Sequence, residues 1–226
     1  MNVAILSEHI YGATRIFSEV SKIHNCCCDI LLFNKSPVRL VRQLGYIVLR
    51  TKPPVWLKVL SILITGRLRI FFGNFKSTGV QNKIKKLQYD IGLHNLGVIY
   101  TNEMIQCFKR GILNSHIGLL PRYRGRCVME WSLFEKAPTG ITVFYIDEGI
   151  DTGKEIVIRE EVSVKECNSI KAAKDKLFSL DGVFYAKAVE AEINKKAHLI
   201  NDGSGPRFYV MSKKLLDIVE KENFCV

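Results

Sequence analysis

The sequence lacks a hydrophobic run long enough to cross a bilayer. Its longest apolar stretch, VWLKVLSILIT, contains Lys58 and is shorter than the roughly 20 residues that a spanning helix needs. The chain starts with the strand-like segment NVAILS instead of a basic leader and a cleavage site, which predicts that it is not secreted. Repeats and low-complexity tracts are absent as well. With 47% hydrophobic residues, we expect a folded protein with one principal domain.

Paired cysteine motifs are also missing. The seven cysteines are an odd number without Cys-x-x-Cys spacing, and residues 26–28 are three cysteines in a row. This pattern suits neither a disulfide framework nor a zinc site. We therefore expect a cytoplasmic protein with no metal.

Acidic residues are absent between Asp29 and Asp90, although the whole chain has a net charge of +11. We call residues 35–87 the basic segment; its cations are Lys35, Arg39, Arg42, Arg50, Lys52, Lys58, Arg67, Arg69, Lys76, Lys83, Lys85 and Lys86. Such a block predicts an anionic partner, which is a substrate phosphate, an acidic membrane surface or a nucleic acid. Core helices whose long cationic side chains reach solvent are the simpler alternative.

Strand-like runs alternate with helical patterns along the chain. The runs are NVAIL, DILLF, RLRIFF, DIGLH, GILNSH, GITVFYI and EIVIRE. This alternation predicts an α/β fold with a doubly wound, largely parallel, Rossmann-like sheet. The predicted helices cover residues 14–24, 38–49, 55–64, 101–109, 128–134, 169–194 and 212–222. We expect a catalytic domain over residues 1–200 and a small helical C-terminal extension, residues 201–226, packed on the same body.

The segment GILNSH places an amide and an imidazole at the end of a predicted strand. Residues two apart on a strand face the same side, so Asn114 and His116 should project together. Reactive groups gather at the carboxyl ends of strands in α/β sheets. An amide can donate to a developing oxyanion and a histidine can take a proton, which suits addition to a carbonyl. Asp151, in the glycine-flanked loop that follows GITVFYI, is the carboxylate predicted to orient the imidazole.

These stretches, NSHIGLLPRYRG followed by TGITVFYIDEGIDTG, resemble the 10-formyltetrahydrofolate-dependent formyltransferases. The likeness is firm from Tyr89 to Val162, and it is closest to sugar N-formyltransferases and to the N-terminal domain of methionyl-tRNA formyltransferase. The resemblance implies the formyltransferase fold and 10-formyltetrahydrofolate as donor. A departure stands beside the histidine, where Ile117 and Gly118 replace the family's small residue or proline and its serine.

The resemblance also implies roles for individual residues. Asn114 would hold the oxygen that becomes negative, His116 would accept or relay the amine proton, and Asp151 would orient the histidine or its water. Predicted folate contacts are Val98, Ile99, Tyr100, Leu119, Ile146, Asp147, Gly149 and Ile150. Predicted contacts to a phosphorylated substrate are Arg122, Tyr123, Arg124 and Gly125, because guanidinium groups suit a diphosphate.

The acceptor favoured by the resemblance is the amine of a nucleotide-linked sugar. The loop SEHIYGATR lacks the glycine-rich phosphate cradle of the purine enzyme, which argues against glycinamide ribonucleotide. Methionyl-tRNA formyltransferases carry a further β-barrel domain, for which too few residues remain here. The short spacing EKAPTG before the second motif resembles that of sugar N-formyltransferases.

Other functions stay open. A 10-formyltetrahydrofolate hydrolase keeps the same three residues and uses water, and the acceptor amine is alternatively glycinamide ribonucleotide or methionyl-tRNA. A non-catalytic RNA or membrane binder would use the basic segment, although no stacking-aromatic RNA module is visible, so nucleic acid is not expected. We also weigh a homodimer and a peripheral membrane contact through residues 35–87.

Overall fold

The computed structural model describes residues 1–34, 36–50 and 53–224, without the side chains of residues 47–50, 53–56 and 58. Lys35 and Lys52 of the basic segment therefore lie outside the described residues. The chain divides into two compact units, unit 1 (Met1–Leu113) and unit 2 (Asn114–Val226). The predicted boundary after residue 200 remains a prediction about domain organisation.

Unit 1 is built on a parallel sheet. Its strands are β1 (Asn2–Ser7), β2 (Cys27–Asn34), β3 (Leu68–Phe72), β4 (Ile91–Asn95) and the first residues of β5 (Ile112–His116). They lie in the order β3-β2-β1-β4-β5, and each neighbouring pair is parallel. From β1 the chain adds β2 and β3 on one side, and it then adds β4 and β5 on the other side of β1. This is the strand order of a doubly wound sheet. The predicted fold class is thus confirmed.

The strand runs of the sequence correspond to real strands because they are continuous apolar segments. Val3, Ala4, Ile5 and Leu6 of β1 are each 0% exposed, as expected for a central parallel strand covered on both faces. All seven predicted runs coincide with strands, the last two being β7 (Gly140–Tyr145) and β8 (Glu155–Glu161).

The helices of unit 1 are α1 (Ile10–Val20), α2 (Pro37–Arg50), α3 (Pro53–Ile64), α4 (Thr78–Lys86) and α5 (Asn102–Ile105). Helices α2 and α3 match their predictions, and Pro53 and Pro54 are the first residues of α3, where a proline costs no helical hydrogen bond. Helix α1 begins four residues before the predicted residue 14 because Ile10 and Ala13 belong to its buried stripe. Helix α5 is shorter than the predicted residues 101–109, and α4 was not predicted.

Unit 2 combines antiparallel strands with four helices in its described part. The remaining elements are β6 (Arg124–Gly125), α6 (Val128–Phe134), α7 (Ile170–Ser179), α8 (Asp181–Ile193), β9 (Leu199–Ile200), β10 (Arg207–Phe208) and α9 (Lys213–Phe224). Strands β7, β8 and β9 are antiparallel neighbours, and β6 pairs in parallel with β10. The helix predicted over residues 169–194 is two helices. Ser179 and Asp181 stand at the break, and both residue types favour helix ends over helix interiors.

Two small hydrophobic clusters of unit 2 fix the loop that follows β5. Leu119 packs with Tyr123 and Val128, whereas Leu120 packs with Phe144 and Ile156. The adjacent leucines of the Leu-Leu-Pro motif therefore enter different clusters. This double anchoring holds the loop in one position beside the end of β5.

Candidate active site

The His116 imidazole is buried at the end of β5 and has two different neighbours. Its Nε2 lies 2.8 Å from the carbonyl oxygen of Tyr123. A carbonyl oxygen only accepts, so Nε2 carries the hydrogen and Nδ1 of the neutral ring presents a lone pair. This Nδ1 lies 3.8 Å from Oδ2 of Asp151. The ring is therefore oriented by the backbone on one side and faces a carboxylate on the other.

Gly118 makes this orientation of the imidazole available. A Cβ at this residue would lie 2.9 Å from Nε2 of His116 and 2.9 Å from the oxygen of Tyr123, so any side chain would push apart the two atoms that share the hydrogen bond. The Thr142 hydroxyl donates to the carbonyl of Gly118 and accepts from the Leu120 N–H. In this chain the glycine at residue 118 therefore leaves room for the hydrogen bond that orients the histidine.

The Asp151 carboxylate is held by its own loop and by the loop after β5. Asp151 has a φ of +46°, in the left-handed region that aspartate tolerates better than most residues. Its Oδ2 accepts the N–H of Gly125 at 3.3 Å and is the same oxygen that faces His116. Two residues later, Gly153 has a φ of +58°, and a Cβ there would lie 2.7 Å from Cβ of Leu120. The Asp-x-Gly motif is therefore a backbone requirement as well as a chemical one.

The loop from Ile146 to Ile150, predicted to contact folate, is ordered by Asp147. One carboxylate oxygen accepts the N–H of Gly149 at 2.9 Å, and the other accepts the Thr152 hydroxyl at 2.8 Å. Ile146, Asp147 and Ile150 are half-buried and Gly149 is exposed. Asp147 therefore acts at least as a turn residue, and the folate contacts of this loop stay predictions.

Asn114 is half-buried on the same strand end. Strand alternation places its side chain on the side of His116, with Ser115 on the other side. The contacts of Ser115 agree, because its hydroxyl donates to Asp181 at 2.9 Å and its N–H donates to the Tyr185 hydroxyl at 3.0 Å, both on α8. The strand is thus tied to α8 through one face and presents Asn114 and His116 on the other.

The predicted substrate contacts have protein partners of their own. The Arg122 guanidinium pairs with Glu135 at 3.0 Å, and the Tyr123 hydroxyl donates to the same carboxylate at 2.8 Å. Burial raises the pKa of Tyr123 to about 12, so its hydroxyl stays a donor at neutral pH. Gly125 has a φ of +100°, and a Cβ there would lie 2.3 Å from the Phe208 carbonyl oxygen.

The Arg124 guanidinium binds main-chain carbonyls. It donates to Ile150 at 3.1 and 3.3 Å, to Gly203 at 2.6 Å and to Gly205 at 2.9 Å. These contacts connect the loop after β5 with the Asp151 loop and with residues 203–205. The prediction that Arg124 binds a substrate phosphate stays untested, while its contacts assign it a role in holding the loops together.

A cavity of about 380 Å³ in unit 2 includes His116 in its wall. Arg126, Cys127, Glu130 and Lys174 also line it. The Glu130 side chain is 1% exposed and pairs with Lys174 at 2.5 Å, while its Oε2 has no hydrogen-bond partner among the described residues. Sequence reasoning missed this pair because its members lie on α6 and α7, and no local spacing connects them.

The remaining predicted folate contacts divide by environment. Val98 and Ile99 line a cavity of about 610 Å³ in unit 1, at the carboxyl ends of its strands. Tyr100 is buried, and its hydroxyl lies 2.8 Å from Nδ1 of His94; burial raises the pKa of this tyrosine above its ordinary value. Leu119 belongs to a hydrophobic cluster of unit 2. Tyr100 and Leu119 therefore pack inside their units, and their contact with folate stays a prediction.

Within residues 1–34, 36–50 and 53–224, no group of three or more histidine, cysteine or carboxylate side chains is placed to hold a metal ion. The cysteines of this part of the chain are free thiols; they are Cys26, Cys27, Cys28, Cys107, Cys127 and Cys167.

Residues 76–189 of the chain match the family model described as formyl transferase. The methionyl-tRNA formyltransferase of Clostridioides difficile is 31% identical over 128 residues. That match covers 56% of this chain and 38% of the relative's own length. The chain therefore corresponds to only part of this curated relative.

Solved structures with the same fold cover more of the chain. A 4-N formyltransferase from Francisella tularensis has a TM-score of 0.64 at 16% identity, covering 97% of this chain and 86% of the other. The formyltransferase PseJ from Anoxybacillus kamchatkensis, in complex with UDP-4,6-dideoxy-4-formamido-L-AltNAc and tetrahydrofolate, has a TM-score of 0.54 at 16% identity, covering 99% of this chain and 94% of the other. At these identities the likeness is one of fold.

Proposed function

Because the chain belongs to the formyl transferase family, we propose that it moves a formyl group from 10-formyltetrahydrofolate to the primary amine of a nucleotide-linked amino sugar. The observation that carries this proposal is the His116 imidazole, with Nε2 bound to the Tyr123 carbonyl and Nδ1 directed at Asp151. The sequence match supports formyl transfer, and the nucleotide-linked sugar bound by the fold neighbour PseJ is the reason for choosing this acceptor.

The donor supplies a formyl carbon bonded to a folate nitrogen, and the reaction exchanges that bond for one to the acceptor amine. Asn114 donates its amide hydrogens to the formyl oxygen as negative charge develops there, an interaction typically worth about 100- to 1000-fold in turnover. His116 takes the proton of the attacking amine on Nδ1 and returns it to the departing folate nitrogen. Asp151 stabilises the protonated ring in between.

A cavity of unit 1 is proposed as a folate contact. Val98 and Ile99 line this cavity, whose volume of about 610 Å³ is within the size range of small-molecule sites. Within unit 2, the loop from Ile146 to Ile150 keeps its predicted role as a folate contact. A folate carries carboxylates, and Lys76, which also lines the unit 1 cavity, offers a cation for them.

The acceptor is assigned to the cavity of about 380 Å³ beside His116. Arg126 and Lys174 are cations suited to the diphosphate of a nucleotide sugar. Glu130 Oε2, which has no partner in the described part of the chain, can accept a hydrogen from the acceptor ammonium or a sugar hydroxyl. Together these groups favour a phosphorylated amine.

Release of tetrahydrofolate tests the function. The full chain is mixed with 10-formyltetrahydrofolate alone, with UDP- or dTDP-linked 4-amino-4,6-dideoxyhexoses, and with the same sugars after N-acetylation. We expect release only with the free amines, and a formamido product in equal amount. Release without any amine would instead identify a hydrolase, and no release with any acceptor would refute formyl transfer.

Methionyl-tRNA is the second candidate acceptor, favoured by the 31% identity to the Clostridioides difficile enzyme. The same assay with methionyl-tRNA decides between the two. Formylation of methionyl-tRNA with no turnover of amino sugars would replace the proposed acceptor and keep the proposed chemistry.

We also propose a cytoplasmic location. The consecutive thiols Cys26, Cys27 and Cys28 and the other free thiols of the described part persist in a reducing compartment. Reversible labelling of the thiols in intact cells checks this. Thiols that are oxidised in freshly lysed cells would contradict the location.

A further inference from the structure

Helices α2 and α3 present large apolar side chains to solvent. We define the α2–α3 face as the exposed residues Val38, Val41, Arg42 and Tyr46 of α2 with Leu57, Leu60 and Ile64 of α3. Val41 is 67% exposed and Ile64 is 76% exposed, which is unusual for residue types that form protein cores. The two helices contact each other, so their exposed residues belong to one region of unit 1.

The exposed residues follow helical spacing. Residues 38, 41, 42 and 46 lie on one side of α2, and residues 57, 60 and 64 lie on one side of α3. The opposite side of α3 packs into unit 1, where Val59 and Ile62 are buried. Helix α3 therefore has an inner apolar side that is covered and an outer apolar side that is not.

The sequence of these two helices carries charge of a single sign. Residues 30–89 contain no aspartate or glutamate, and residues 37–64 contain Arg39, Arg42, Arg50, Lys52 and Lys58. Arg39 has a carboxylate partner in Glu8, at 3.7 Å and therefore weak. An occupant of this face must combine negative charge with apolar groups.

A groove beside the face has the same combination. It has a volume of about 420 Å³ and lies between the start of α1 and α2. Ile10, Tyr11 and Tyr46 give it an apolar wall, and Arg39 and Arg42 also line it. A phosphate with an attached acyl chain fits such an arrangement, because the arginines suit the phosphate and the wall suits the chain.

We propose that the α2–α3 face docks on an anionic phospholipid membrane. A nucleic acid would satisfy the cations but leave the valines and leucines in water. A second copy would bring cation against cation, because the face contains no acid. A bilayer surface offers phosphates and acyl chains at adjacent depths, which matches both kinds of residue.

The helices lie on such a surface and do not cross it. Helix α2 has 14 residues and α3 has 12, which at about 1.5 Å per residue is shorter than the roughly 30 Å hydrocarbon core. Among the described residues, every helix falls short of the length and apolar character that crossing a membrane requires. The docking is therefore peripheral and should depend on ionic strength.

Vesicle binding of the full chain tests the proposal. The probes are vesicles of phosphatidylcholine and vesicles in which about one-third of the lipid is phosphatidylglycerol. We expect sedimentation with the anionic vesicles only, weakening as salt rises from about 0.05 M to about 0.5 M. The double variant Leu60→Ser/Ile64→Ser should lower the partition coefficient about tenfold, because binding scales with buried apolar area.

The matched control is Leu199→Ser/Ile200→Ser, which removes equally exposed apolar groups on β9 of unit 2 and should leave vesicle binding unchanged. Circular dichroism checks that each variant is folded. If Leu60→Ser/Ile64→Ser loses its helical signal, the Arg42→Glu variant is used in its place. It changes one exposed side chain and should also weaken vesicle binding.

Several results would overturn membrane docking. The proposal is wrong if the full chain binds neither kind of vesicle, or if it binds neutral and anionic vesicles equally. It is also wrong if the α2–α3 variants bind anionic vesicles as well as the control variant does. Dimerisation lost in Leu60→Ser/Ile64→Ser without vesicle binding would assign the face to a second copy. Salt-sensitive RNA binding without vesicle binding would assign it to nucleic acid. None of these results depends on enzymatic turnover.

Discussion

Unit 2 holds two histidines, the buried His116 and the half-buried His198, which differ in how their ring nitrogens are used. His198 has Nδ1 at 2.7 Å from Glu155 and Nε2 at 2.7 Å from Glu192, so both nitrogens face carboxylates at hydrogen-bond distance. His116 has one nitrogen bound to a carbonyl and the other 3.8 Å from Asp151, beside a cavity. A histidine whose two ring nitrogens both pair with carboxylates stabilises the fold. A histidine with one ring nitrogen available can instead accept and release a proton.

Of the substitutions that test this comparison, replacement of His116 should lower kcat the most. His116→Gln removes the base, while the glutamine amide can still donate to the Tyr123 carbonyl. We expect kcat to fall about 100- to 10,000-fold, the usual range for a general base, with little change in Tm. Steady-state tetrahydrofolate release and a thermal melt measure both.

The matched control for His116→Gln is His198→Gln. It should leave kcat unchanged and destabilise the protein by about 3 kcal/mol, because Glu192, one of the two carboxylates that His198 pairs with, is 0% exposed. If His198→Gln abolished turnover and His116→Gln did not, the assignment of the two histidines would be reversed.

Asp151→Asn should have the next largest effect. Asparagine tolerates the left-handed backbone of residue 151 and can still accept from the Gly125 N–H, so the loop is preserved. Loss of the negative charge facing Nδ1 should lower kcat about 10- to 100-fold, or about 1.4 to 2.8 kcal/mol in the barrier. The control is Asp175→Asn at an exposed pair with Lys171 on α7, which should retain full activity. Unchanged kcat in Asp151→Asn would show that the carboxylate does not act on the histidine.

Gly118→Ala tests the backbone support of His116. Its Cβ would lie 2.9 Å from both atoms that share the His116 hydrogen bond, so the ring must shift. We expect kcat to fall about tenfold, equivalent to about 1.4 kcal/mol in the barrier. Gly45→Ala is the control, since a Cβ there meets nothing within 4 Å and alanine favours the helix. Wild-type kcat in Gly118→Ala would mean that ring orientation is not limiting.

Arg124→Lys should have the smallest effect on turnover and sharpens the role of this residue. Lysine keeps the charge but cannot reach three carbonyl groups at once. If Arg124 positions the loops, kcat and Tm should fall while KM stays unchanged. If Arg124 contacts a substrate phosphate, KM should rise. Arg122→Lys, at an exposed pair with Glu135, is the control and should change little. A rise in KM without a change in kcat would indicate that Arg124 contacts the substrate.

The sequence predicted the strands well because their signal is local. Continuous apolar runs such as Val3–Leu6 form central parallel strands wherever they are bounded by turn residues. Helix α4 was missed because it is largely polar and has only two hydrophobic residues, Val80 and Ile84, both of them buried. Its clearest signal is Ser77, whose hydroxyl accepts from the Val80 N–H.

The candidate site was predictable only where residue identity and order determine it. Asn114, His116 and Asp151 were found from two motifs, and the structure brings His116 and Asp151 together. The Glu130–Lys174 pair and the Arg124 contacts connect residues far apart in the chain. Such contacts depend on how loops cross in space, which neither periodicity nor turn signals encode.

The pairing of β6 with β10 has a consequence for synthesis of the protein. Phe208 accepts the Arg126 N–H at 3.1 Å, and the Trp131 indole donates to the Tyr209 carbonyl at 2.8 Å. These late residues support a loop that the ribosome has made some 80 residues earlier, as Gly125 and Phe208 are register partners. A nascent chain stopped near residue 200 would contain every proposed reactive group and still lack two of the three carbonyls that accept from Arg124, those of Gly203 and Gly205. Activity should therefore appear only when translation has passed this point.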